Sequence, residues 1–119
     1  MSKDFELFFG CFGNGTMVCN KAVEENGDYK RIAHISAGGN IRLYVTESYV
    51  PIDEIEKIRA IANIDRANFI KRFESLPEAE QYGKILDNTS HQKFMEFIED
   101  NRPLKEKLPS MREYYYNIV

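Results

Sequence analysis

The chain has no tryptophan, two cysteines, four prolines and no apolar run approaching the ~20 residues of a membrane-spanning helix. Each scarcity excludes something. Cys11 and Cys19 form neither a Cys-x-x-Cys motif nor a zinc-ligand spacing, and His34 and His91 add none, so no metal site is expected. Cytosolic thiols stay reduced, and both are read as free. Lys+Arg total 16 against 19 Asp+Glu, a net charge of −3, without the basic excess that tight nonspecific nucleic-acid binding uses. The opening Met1-Ser-Lys-Asp-Phe-Glu has no apolar run after a basic end, so no signal peptide is expected and the location reads as cytoplasmic.

What is present fits an ordinary globular protein: 43% hydrophobic, 29% charged, eight Phe and seven Tyr. At 119 residues a single domain spanning 1–119 is expected, with a sheet in 1–46 and a helical part in 51–119 packing on it. Glycine turns divide the first part. Gly13-Asn14-Gly15-Thr16 and Asn26-Gly27 carry the Asn-Gly signal of tight hairpins, and Ala37-Gly38-Gly39 makes a looser third turn. They separate four strands, giving an α+β protein with an N-terminal four-stranded antiparallel meander.

Centring the first two turns on their Asn-Gly pairs sets Phe9 opposite Asn20 and Asn20 opposite Ala33. A three-residue loop at the third sets Ala33 opposite Leu43. Alternation then gathers Phe5, Leu7, Phe9, Cys11, Val18, Asn20, Ala22, Ala33, Ile35, Ile41, Leu43 and Val45 on a core face. The other face holds Glu6, Phe8, Phe12, Met17, Cys19, Lys21, Lys30, Ile32, His34, Arg42 and Tyr44.

From Pro51 the apolar period becomes helical. Ile52, Ile55, Ile58, Ala62, Phe69 and Phe73, widened by Ile61 and Ile64, predict a long helix from about Ile52 to about Glu74 covering the core face. Two or three short helices follow. Ser75 with Glu78 reads as the capping start of the first, and Asn88-Thr89-Ser90 starts the next, with Phe94, Phe97 and Ile98 as its buried stripe. Pro109 is expected to interrupt the last stretch, and the Tyr114-Tyr115-Tyr116 tail to dock into the fold.

No catalytic signature is found. Cys19 faces His34 in this register, but a thiol nucleophile also needs an orienting group and an oxyanion hole, and an ordinary strand pair is the simpler reading. Asn20 breaks the core pattern: either it bonds nearby backbone, or it lies in an open part of the sheet and faces a ligand. Phe8, Phe12, Lys21, Lys30, His34, Arg42 and Tyr44, with Arg31 beside them, make a mixed basic and aromatic face. Such a face can stack bases and hold phosphates, anchor a protein partner, or be half covered by the C-terminal helices.

Asn20-Lys-Ala-Val, Gly27-Asp-Tyr-Lys, Ile32-Ala-His-Ile-Ser, Gly39-Asn-Ile and Tyr49-Val-Pro, with Arg102-Pro-Leu-x-x-Lys-Leu-Pro and Met111-Arg-x-Tyr-Tyr, resemble small proteins of conjugative transposons, plasmids and phages of Gram-positive bacteria. Some of these are anti-CRISPR proteins acting on type II effectors. The resemblance implies no catalytic residue and no cofactor. It implies a non-enzymatic binding protein that inhibits a host defence protein, with a CRISPR nuclease as leading partner. The acidic stretches Asp53 to Glu56 and Glu96 to Asp100 would imitate phosphates there, or form a solvated face. The alternative is a small nucleic-acid-binding regulator using the basic and aromatic sheet face. The sequence leaves the oligomeric state open.

Overall fold

The computed structural model describes residues 5–119. The opening Met1–Asp4, expected to carry no signal peptide, lies outside them. Strands β1 (Leu7–Phe12), β2 (Gly15–Glu25), β3 (Asp28–Ile35) and β4 (Ile41–Leu43) pair antiparallel in chain order. A 3-10 turn at Glu47–Tyr49 leads into α1 (Ile52–Glu74), followed by α2 (Glu78–Asp87), α3 (His91–Glu99) and α4 (Leu104–Ile118). The protein is α+β: an antiparallel meander, then a long helix and three shorter ones. None of the described helices is long and apolar enough to cross a membrane.

The Asn26-Gly27 turn forms as the sequence predicts. Both residues have positive φ, 54° and 83°, as a type I′ hairpin requires, and Glu25 faces Asp28. The first turn falls one residue earlier than expected, on Gly13-Asn14, with Gly13 at φ 60°. Leu7, not Phe9, therefore faces Asn20. The slip moves the pairing by two residues, an even number, so both strands keep their faces.

Between β2 and β3 the expected register is corrected twice. Glu24 faces Tyr29, yet Asn20 faces Lys30, so Lys21, Ala22 and Val23 have no opposite residues. Ile32 is then passed over between the Cys19–Arg31 and Val18–Ala33 pairs. Each slip is an odd number of residues and flips the faces; together they cancel. Ala33, Ile35 and Val18 therefore lie in the core as expected, while Ile32, expected outside, is fully buried with them.

The apolar residues divide into two cores. Val18, Ile32, Ala33, Ile35 and Val50 pack with Ile55, Ile58 and Ala62 of the first half of α1. Phe73, near the end of α1, packs instead with Ile85, Phe97, Leu108, Met111 and Tyr115 of the later helices. The helical part thus meets the sheet through α1 and the chain's last residues, not as a layer over it. The molecule is elongated, 57 × 25 × 23 Å.

This division corrects several expected packings. Ile52 (73% exposed) and Ile64 (60%) lie off the buried stripe of α1. In α3 only Phe97 is buried, and Phe94 and Ile98 remain exposed. Ser75 closes α1 instead of starting α2: its hydroxyl donates to the Arg72 carbonyl. Pro109 sits inside a continuous α4, where Leu108, Met111 and Tyr115 around it are buried. Ser90 caps α3 as expected, accepting from Lys93 N. The tail docks, with Tyr115 buried and the Tyr116 hydroxyl donating to Glu74 Oε2 at 2.7 Å.

Two buried polar groups tie the helices together. Lys107 Nζ donates to the carbonyls of Phe97 and Asp100 at the end of α3, where a helix carries partial negative charge, and lies 4.9 Å from the Tyr82 ring centre. Gln81 donates to Leu76 O and accepts from Arg112 Nε at 2.8 Å.

The sheet and the helical end join at the β3–β4 loop. Gly38 N donates to Val119 O, and Asn40 Nδ2 donates to Tyr116 O, both at 2.9 Å. Gly39 has φ 81°, and a Cβ there would lie 2.4 Å from Ala62 O and 2.7 Å from Arg66 Cβ. Gly13 also has positive φ, but its Cβ would meet open space. Gly13→Ala should cost about 1–2 kcal/mol, the conformational term alone. Gly39→Ala should cost distinctly more in urea denaturation, because rigid backbone must also move; equal costs would mean that the loop does not press on α1.

Candidate protein-binding face of the sheet

With α1 against one face of the meander, no described helix lies over the other. Phe8, Phe12 and Tyr44 remain 44%, 51% and 45% exposed. The register explains how they share a surface: Phe8, Gly10 and Phe12 of β1 alternate with core residues, and His34, Arg42 and Tyr44 follow the second slip in phase. The rings are locally fixed. Phe8 meets Tyr29 edge-on at 5.6 Å, Phe12 meets His34 edge-on at 5.7 Å, and the Arg42 guanidinium lies 5.6 Å from the Tyr44 ring centre. Phe8 and His34 lean over Gly10 and Gly15: a Cβ at those positions would meet them at 3.3 and 2.8 Å. Met17, opposite Gly10 and His34, is buried among these neighbours.

Two of the expected site residues are corrected. Lys30 does not belong to this face. The three unmatched residues of β2 place it opposite Asn20, on the α1 side. Its ammonium bonds Glu25 at 2.6 Å and lies 5.5 Å from the Tyr49 ring centre, and the Glu25 hydrogen bond raises its pKa above the ordinary lysine value. The same slip brings Arg31 and Tyr29 onto the open face. Tyr29 was missed, because no glycine or proline marks the Lys21–Val23 bulge.

Asn20 does not lie in an open part of the sheet. It is fully buried; its Oδ1 accepts from Glu6 N at 2.9 Å and Ala22 N at 3.1 Å, and its Nδ2 donates to the Tyr49 hydroxyl at 3.2 Å. One amide thus ties the start of β1, the β2 bulge and the 3-10 turn.

Cys19 and His34 are not brought together as the expected register had them. Cys19 faces Arg31 and His34 faces Met17, with the imidazole directed at Gly15 and Phe12. Burial, then the Asp28 charge, push the Cys19 thiol up, opposite to what a thiolate nucleophile needs. Among the described residues no cluster of three ligating side chains could hold a metal.

The charge on the open face is nearly balanced. Lys21, Arg31 and Arg42 share it with Glu6 and Glu24. Beside the β2–β3 hairpin a shallow cleft of about 520 Å³ is lined by Glu25, Asn26, Asp28, Tyr29, Lys30, Arg31 and Tyr44. Elsewhere, Asp100 of the second acidic stretch is bonded through both oxygens to Arg102, which holds its carboxyl down to about 2. That carboxylate's charge is locally answered.

Compared with family models, curated proteins and solved structures, the chain matches none of them.

Asn20→Ala should remove these buried bonds and lower the unfolding free energy by about 1–3 kcal/mol, read from urea denaturation. A smaller loss would mean that the bulge holds itself without the amide.

Proposed function

We propose that the protein is a non-enzymatic binding protein of a mobile element that inhibits a host defence protein by docking the open sheet face onto it. The observation that carries this reading is the uncovered surface of Phe8, Phe12, Tyr29, Arg31, Arg42 and Tyr44. Phe, Tyr and Arg are the usual anchors of protein interfaces, and here their rings are already held by neighbours, which lowers the entropy of docking. The resemblance to small proteins of Gram-positive mobile elements supplies the target class, with a type II CRISPR nuclease as leading candidate. Docking would block a nucleic-acid channel or a conformational step.

A nearly balanced face is a poor counter-surface for polyphosphate, and Lys30 is drawn off to Glu25. The rival reading, a nucleic-acid-binding regulator, predicts a gel shift of single-stranded DNA or RNA at low salt; none is expected.

The purified protein should retain a type II nuclease in affinity capture and protect DNA from its cleavage. The triple variant Phe8→Ala, Arg42→Glu, Tyr44→Ala should bind ~10-fold or more weakly, a loss of one anchor's worth of energy or greater. Ile52→Ser, at an exposed position on α1, should bind normally. If the wild type neither retains nor inhibits the nuclease, this target is wrong; if the triple variant binds as well as the wild type, the face is wrong.

A further inference from the structure

We infer that β1 is a self-association edge, at which two copies of this chain pair antiparallel about a two-fold axis at Phe9. The inference is independent of the partner-binding reading above. β1 is the outer strand of the sheet. Lys21 N donates to Glu6 O, and this bond sets the phase of the ladder. Glu6, Phe8, Gly10 and Phe12 turn their backbone groups to β2, so Leu7, Phe9 and Cys11 turn theirs outward. Among the described residues no hydrogen bond reaches those outward groups.

Outer strands are normally guarded by charge, proline, a bulge or shortness. Leu7–Phe12 has no charged residue and no proline, and its pairing with β2 is unbroken over six residues. The opposite edge is different: β4 has three residues and carries Arg42 at its centre. Among the described residues, β1 is thus the edge left open to a long added strand.

The sequence of β1 suits its own copy. With the axis at Phe9, the two Phe9 residues exchange both backbone bonds, and Leu7 does the same with the second copy's Cys11. Every outward N–H and C=O of Leu7, Phe9 and Cys11 is then paired. Phe8 comes opposite the second copy's Gly10, so no two bulky side chains meet at that pair. Phe12 comes opposite Glu6, so no like charges meet across the seam. The result is a continuous eight-stranded sheet in which the two open faces form one surface. A strand from a different protein is the competing occupant, and it predicts a monomer when the protein is alone.

Light scattering coupled to size exclusion over a dilution series should give twice the chain's 13.9 kDa at the concentrated end. Cys11→Lys places a charge on the seam at an exposed position and should give a monomer with unchanged circular dichroism. In a background of Cys11→Ser and Cys19→Ser, Phe9→Cys should oxidise to a linked dimer, because paired Cα atoms lie about 5.5 Å apart, within disulfide reach. Phe12→Cys, displaced along the strand from its own copy, should not. A monomer at all concentrations, open-ended aggregates, or equal cross-linking of Phe9→Cys and Phe12→Cys would overturn the inference.

Discussion

The structure depends on one helix serving two cores. α1 has 23 residues and so extends about 35 Å at 1.5 Å per residue. Its first half places Ile55, Ile58 and Ala62 against the sheet; its last turns place Phe73 among α2, α3 and α4. Each large apolar side chain buried this way contributes about 1.5–3 kcal/mol, and α1 contributes to both ends at once. A helix committed in this manner cannot also wrap the sheet. The later helices are held at the far end by Phe73, Gln81 and Lys107, so one sheet face is left to solvent. Its exposed rings follow from how the apolar residues of α1 are spaced.

Within the sheet, the composition of that face is set by two slips that cancel. Three extra residues on β2 and one on β3 each reverse the faces. The stretch from Tyr29 to Ile32 is where the sides are exchanged. Asn20 stabilises the larger irregularity, since its side chain takes up backbone groups that a regular ladder would have used. A polar residue at a core position thus marks where the ladder departs from regularity.

The strand order and α1 were legible because Asn26-Gly27, Gly38-Gly39 and the Ile55, Ile58, Ala62 spacing are local signals with direct physical meaning. The faces of Phe8, Phe12, His34, Arg42 and Tyr44 were legible for a subtler reason: the errors in register were even, or cancelled. Lys30 was not legible, because a three-residue bulge of Lys, Ala and Val has no turn chemistry to announce it. Nor was the split core. The stripe on α1 reads as one continuous face, and nothing in its period says that the partner changes from a sheet to helices along the way. Phe94 and Ile98 look core-facing by spacing, yet α3 buries only Phe97.

A surface that stays open in the free protein, with its rings held in place, is suited to docking without rearrangement. The central claim is that this face is solvent-facing because α1 is shared between two cores. Paramagnetic relaxation of ring protons by a soluble, uncharged probe tests it most directly. Phe12 and Tyr44 should relax strongly and Phe73 and Tyr115 weakly. Protection of Phe12 and Tyr44 equal to that of Phe73 would mean that the helices close over the sheet, and would contradict it.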